Sequence, residues 1–204
     1  MALLEPRVVR VECGWAFFRD SMTRTADSLE VPGVEQLRRL IRDVPDFPKP
    51  GILFKDITPL LADPAGLALA VEFMVYPFRG RRIDMVVGAE SRGFIFGTAV
   101  AKSLSAGFVP VRKPGKLPAE VHRHEYELEY GTDALEIHAD ALHPGQRVLI
   151  VDDLLATGGT LRACCELVRG LGAEICGVVV LIELEGLGGR EQLAGETVFS
   201  VLRY

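Results

Sequence analysis

Two adjacent carboxylates, Asp152 and Asp153, stand just before a hydroxyl and glycine run, Ala156, Thr157, Gly158, Gly159 and Thr160. Four apolar, mostly β-branched residues, Val148 to Val151, precede the acids and read as a buried parallel strand that ends where the acids begin. After the run comes LRACCELVRGLG, with helical spacing. A strand that breaks into a Gly/Thr loop at a helix N-terminus makes an anion site. Backbone N–H groups converge there, the helix dipole favours negative charge, and glycine lets the backbone approach closely. An Asp pair would repel a bare phosphate, so the ligand should carry hydroxyl donors or a cation beside its phosphate. A ribose 5-phosphate does, because carboxylates accept from its 2′ and 3′ hydroxyls. The same residue types also suit a plain βα turn with an Asp N-cap. The stretch lacks both the Gly-x-Gly-x-x-Gly of dinucleotide folds and the Gly-Lys-Ser/Thr of P-loops.

The flanking elements repeat this plan. Met85, Val86 and Val87 predict a short strand, a turn follows at Gly88 to Gly93 with Glu90 and Arg92 in it, and a helix opens behind it. Ligands collect at the carboxyl ends of strands in doubly wound sheets, which favours anion binding over a solvated Arg92. Phe108 to Val111 predict a third strand, ending in Arg112, Lys113 and Lys116 around Pro114 and Gly115, a basic loop tip that is either solvated or closes over a polyanion. AEVHRHEYELEYGTDALEI alternates Tyr126, Leu128 and Tyr130 and suggests a hairpin, long for a connection and a candidate lid, with Glu129 and Tyr130 as its candidate chemical members. His122 and His124 in it lack a third metal ligand nearby.

Upstream, Val34, Leu37, Leu40, Ile41 and Val44 recur at helical spacing and predict a short amphipathic helix. In DFPKPGILFKDITPLLADP, Pro48 and Pro50 stiffen the approach to Ile52, Leu53 and Phe54, which form either a buried loop or a recognition loop whose aromatic stacks on a flat ligand. Asp63 and Pro64 read as the N-cap and first residue of a helix running to about Tyr76. EICGVVVLIEL gives a further buried strand, and repeated βα units point to one α/β domain with a parallel sheet. Residues 1–30 fit no part of this plan, and Met22 is a candidate natural start that N-terminal mass spectrometry would test.

A chain of 204 residues, 49% hydrophobic and 25% charged, suits one domain, and a net charge of -5 argues against a nucleic-acid surface. Cys13, Cys164, Cys165 and Cys176 show no metal-ligand spacing, and Cys164 and Cys165 read as buried thiols in a helix, which points to the reducing cytoplasm. No apolar run reaches the ~18 residues of a membrane span.

VLIVDDLLATGGT closely resembles the 5-phosphoribosyl-1-pyrophosphate (PRPP) binding motif of type I phosphoribosyltransferases. From about Val34 to Tyr204 the chain resembles bacterial adenine phosphoribosyltransferases through FPKPGILFKDIT, ESRGF, VRKPGKLP, YELEYGTDALEIH and VDDLLATGGT, in that family's order and spacing. The resemblance implies a single-domain type I fold over residues 31–204, with a mainly parallel central sheet flanked by helices, a flexible hairpin lid and a small N-terminal hood; residues 1–30 form an extension of unassigned role. It implies purine salvage, adenine plus PRPP giving AMP and pyrophosphate, in a cytoplasmic homodimer with no nucleic-acid or membrane partner. Mg2+ would arrive through PRPP and pyrophosphate rather than through direct protein ligands.

By the same resemblance, Asp152 and Asp153 hold the ribose hydroxyls, Ala156 to Thr160 cradle the 5-phosphate, and Glu90, Ser91 and Arg92 form the pyrophosphate turn, with a non-proline cis peptide expected between Glu90 and Ser91. Arg112, Lys113 and Lys116 meet pyrophosphate, in this or the neighbouring subunit's site; Phe54 and Leu155 sandwich the purine; backbone around Leu53 and Lys55 reads its edge; Glu129, beside Tyr130, transfers the proton. Lys55 stands where many members have Arg, and Glu90 where some have Asp. A phosphoribosyltransferase for another base would share the phosphate loop but lack FPKPGILFKD and LEYG. A PRPP-sensing regulator would add a DNA-binding module, for which the unassigned N-terminal residues are too few.

Overall fold

In the computed structural model, which describes residues 32–127 and 132–204, the first element is helix α1 (Pro32–Arg39). The helix expected through Val44 stops there. Val44 lies in β1 (Arg42–Pro45), opposite Phe54 of β2 (Leu53–Asp56), so antiparallel pairing overrides the helical spacing. Cross-strand charges fix this hairpin, Arg42 to Asp56 at 2.5 Å and Lys55 to Asp43 at 2.7 Å. Helix α2 (Thr58–Ala62) leads into α3 (Pro64–Val75). Asp63 caps α3 as expected, its carboxylate accepting the Gly66 N–H at 2.6 Å.

The chain then forms β3 (Met85–Ala89), α4 (Gly93–Leu104), β4 (Gly107–Val111), the hairpin strands β5 (Val121–Glu127) and β6 (Thr132–His138), β7 (Arg147–Leu155), α5 (Gly159–Gly170), β8 (Glu174–Glu183), α6 (Gly189–Gln192) and β9 (Val198–Arg203). The central sheet runs β4-β3-β7-β8-β9 with every neighbouring pair parallel. Both its faces are covered, which is why its inner strands are continuous apolar runs. Along β7, Leu149 and Val151 pack with Met74, Phe78 and Phe96 of one core cluster, while Val148 and Ile150 pack with Leu161 and Val168 of the other. Cys164 and Cys165 are buried free thiols, as expected, Cys176 is a third, and burial pushes the Cys165 thiol up to about 12. Among the described residues no helix is long and apolar enough to cross a membrane.

Strand order sets the site. The sheet grows from β3 to β4 on one side and from β7 through β8 to β9 on the other. Winding reverses between β3 and β7, and such a switch point opens a crevice at the carboxyl ends of the strands.

Candidate active site

Strand β7 does not end at Val151, as the sequence suggested, but continues through Asp152 and Asp153 to Leu155. The cause is its long neighbour. Pairing with β3 stops at Gly88 opposite Val151, whereas pairing with β8 continues to Leu155 opposite Glu183. The acids therefore sit on rigid strand with the β3 side beyond Val151 unpaired. There the Ser91–Arg92 turn and the start of α4 approach. A side chain at Gly93 would lie 2.8 Å from Asp152 Oδ1, so only glycine lets α4 begin this close to the carboxylate.

These segments enclose a cavity of about 530 Å³, lined by Glu90, Ser91 and Arg92 on one wall and by the chain from Asp152 to Leu161 on the other. The peptide between Glu90 and Ser91 is cis, as expected. Gly158, at φ +89, turns the backbone into α5 and offers the helix no side-chain cap. The dipole and first-turn amides of this 12-residue helix thus face the cavity without an internal anion.

Asp152 and Asp153 are 8% and 5% exposed. Arg92 Nε lies 2.8 Å from Asp153 Oδ2, and Asp152 Oδ1 accepts the Asp153 N–H at 2.9 Å. Burial pushes both carboxyls up. Asp152 rises well above the ordinary range because its neighbour's charge adds to burial, while Arg92 opposes the rise at Asp153.

The hairpin β1–β2 approaches Arg92 of the cavity wall through Phe54, whose ring centre is 5.6 Å from the Arg92 guanidinium and which meets Phe47 edge-on at 5.1 Å. Leu155 lines the cavity although only 1% exposed, and Leu53 is half exposed. The Lys55 side chain turns to Asp43 and lies 4.0 Å from the Tyr204 ring centre, leaving its backbone as the part available to a ligand. The basic loop is tied to neighbouring segments of the same chain. Arg112 bonds Glu90 at 2.8 Å, Lys113 pairs with Asp133 of β6, and Lys116 is exposed. Glu129 and Tyr130, expected on the lid, lie outside the described residues.

Three residues of the hairpin were missed by sequence reasoning. Tyr126 lies along the start of α5, where a side chain at Gly159 would meet its ring at 3.4 Å; burial raises its phenol, against a hydrogen bond from Thr160. Asp133 holds Lys113, which in turn lowers the Asp133 carboxyl. Glu136 is buried and accepts the Gly115 N–H at 2.9 Å, while its backbone bridges Arg112. The alternation that marked Tyr126 as hairpin also pointed it at one face; nothing in the sequence marked the partners of the two acids.

The phosphoribosyl transferase domain family matches residues 59–197, and with that match the buried acids beside an uncapped helix N-terminus, at the switch point of a parallel sheet, belong to a phosphoribosyltransferase fold. The chain is 60% identical over 168 residues to the adenine phosphoribosyltransferase of Rhodopirellula baltica, covering 82% of each chain. It is 59% identical over 171 residues to that of Methylococcus capsulatus, covering 84% of this chain and all of the relative. Among solved structures, the enzyme of Thermoanaerobacter pseudethanolicus matches with a TM-score of 0.82 at 51% identity, over 84% of this chain and 99% of that one. The yeast enzyme, solved with an imino-altritol bisphosphate and adenine, matches at 0.80 and 40% identity, over 84% and 99%. The chain belongs to the adenine phosphoribosyltransferase family.

Proposed function

We propose that the crevice between β3 and β7 is where this chain, as a member of its family, transfers the 5-phosphoribosyl group of PRPP to adenine, giving AMP and pyrophosphate. The carrying observation is the pair of buried carboxylates next to an uncapped helix N-terminus, since such acids suit a ligand that brings hydroxyl donors along with its phosphate. Amides and hydroxyls of Ala156 to Thr160 hold the 5-phosphate, and Asp152 and Asp153 accept from the 2′ and 3′ hydroxyls. Phe54 and Leu155 sandwich the base, with backbone at Leu53 and Lys55 reading its edge.

In the reaction the adenine ring nitrogen forms a bond to the anomeric carbon as the bond to pyrophosphate breaks. Positive charge develops on the ribose and negative charge on the leaving group. Arg92, beside Asp153, supplies a fixed cation, and Arg112, Lys113 and Lys116 close over pyrophosphate. That closure requires Arg112 and Lys113 to leave Glu90 and Asp133. Glu129 takes the proton that adenine loses, a role worth a rate factor of about 10² to 10⁴. The hairpin excludes water that would hydrolyse PRPP.

Magnesium fits as an ion carried by the substrate. Among the described residues no three His, Cys, Asp or Glu groups converge as a cage. The ion commonly keeps several waters and binds through substrate phosphates, which leaves Asp152 and Asp153 to the ribose hydroxyls. When bound, it offsets charge on the diphosphate. A cytoplasmic homodimer belongs to the same proposal and rests on the family resemblance; sedimentation velocity tests the dimer. For the reaction itself, the protein is incubated with PRPP, magnesium and adenine, guanine, hypoxanthine, xanthine or orotate in turn. AMP from adenine is expected. Preference for another base would reassign the substrate, and no nucleotide from any base would favour a non-catalytic PRPP sensor.

A further inference from the structure

Behind the phosphate loop stands a second turn, residues 188–192, which the proposed chemistry does not use. Its backbone meets that of the loop directly. Gly188 is left-handed at φ +66 and starts α6, and Gly189 is buried. A side chain at Gly189 would overlap the Ala156 carbonyl oxygen and lie 2.7 Å from Leu155 Cδ1. In the opposite direction, a side chain at Gly158 would lie 2.6 Å from the Gly189 oxygen and 2.9 Å from Gln192 Cβ. Two backbones touching through two glycines leave neither free to shift alone.

The turn is in turn anchored. Arg190 forks onto Glu183, with Nε 2.8 Å from one carboxylate oxygen and Nη2 2.5 Å from the other. It also donates to the Val198 carbonyl at 3.0 Å and to Ser200 Oγ at 2.9 Å, and Ser200 bonds Glu183. Glu183 is 3% exposed and pairs in register with Leu155, the last residue before the loop. The Leu184 N–H donates to the Leu155 carbonyl at 2.9 Å. Neither Glu183 nor Arg190 lines the cavity.

We propose that Gly189 and the Glu183–Arg190 pair are positioning residues for the phosphoribosyl group: the pair fixes the 188–192 turn to β8 and β9, and the turn backs the Ala156–Gly158 backbone. The inference rests on the assignment of Ala156 to Thr160 to the 5-phosphate. Loop amides must hold their geometry to within a few tenths of an ångström, and a misplacement of ~1 Å can cost about a hundredfold.

Steady-state kinetics with PRPP and adenine varied separately, together with thermal melts, on Gly189→Ala, Arg190→Ala, Arg190→Lys and Thr160→Val decide the matter. Arg190→Ala is expected to raise KM for PRPP about tenfold, and Gly189→Ala by up to about a hundredfold, with KM for adenine within about twofold. Arg190→Lys keeps the charge but not the fork, so it should recover part of the loss and rise by about threefold. It also carries the test should Gly189→Ala or Arg190→Ala fail to fold. Unchanged KM for PRPP in the Arg190 variants, or equal rises for both substrates, overturns the inference. Thr160→Val separates the two levels. If it weakens PRPP while the Arg190 and Gly189 variants do not, the positioning role alone is wrong; if it also leaves PRPP unaffected, the phosphate loop itself is misassigned.

Discussion

Asp153→Asn separates what the acidic pair does for ligand binding from what it costs the fold. The substitution keeps the shape and removes a charge from a side chain that is 5% exposed. Burial raises both carboxyls, that of Asp152 furthest. A carboxyl raised in the folded state contributes stability that is fully present below its unfolded value of 3.8 and is lost as pH rises through the folded value. At neutral pH the unliganded pair therefore opposes folding. Arg92 loses its 2.8 Å partner in the variant, but its side chain is 39% exposed and water can replace the carboxylate. The unliganded variant should melt at the same temperature or higher, where a gain of ~1 kcal/mol reads as about 2–4 °C at this size. PRPP binding moves the other way. A hydrogen bond to a charged acceptor contributes ~1.5–3 kcal/mol, so its loss weakens PRPP by roughly ten- to a hundredfold. Isothermal titration with PRPP and magnesium, beside thermal melts without ligand, reads both effects. Unchanged PRPP affinity, or a melting temperature several degrees lower, would refute the reasoning.

Glu129→Gln should lower kcat by about 10² to 10⁴ with PRPP affinity little changed, and equal loss in both would remove Glu129 from proton transfer. The Thr58 N–H, then Arg42, hold the Asp56 carboxyl down to about 2, so its stabilisation is present above 3.8 and lost as pH falls through about 2. Asp56→Asn should accordingly lower the melting temperature near neutrality, with the gap to the parent closing across that window; a gap constant with pH would contradict the pairing. Phe78 is 1% exposed and packs against Gly177, so Phe78→Ala should cost ~3–5 kcal/mol, and a denaturant midpoint within error of the parent would show the core placed wrongly.

The parallel sheet was legible because both its faces are buried. Val148 to Val151 and the apolar run from Val178 to Ile182 could only be inner strands. Strand length was not legible, because Asp152 and Asp153 look like a strand end until β8, ten residues long, is known to lie beside them. Val44 fits a helical period and a strand equally, and the charged pairs beside it, Arg42 with Asp56 and Asp43 with Lys55, decide for the strand. The residues of the cavity lie in two short motifs, so their types sufficed. What supports them comes from elsewhere in the chain: Glu136 under the basic loop and Gly189 behind the Ala156–Gly158 backbone carry no local signal, since each acts through contacts made only on folding.

A crystal structure with AMP bound tests the site most directly. The 5-phosphate is expected on the amides of Thr157 to Thr160, the ribose hydroxyls on Asp152 and Asp153, and the adenine ring between Phe54 and Leu155. Phosphate bound away from the α5 N-terminus, or a ribose that leaves the Arg92–Asp153 wall empty, would contradict it.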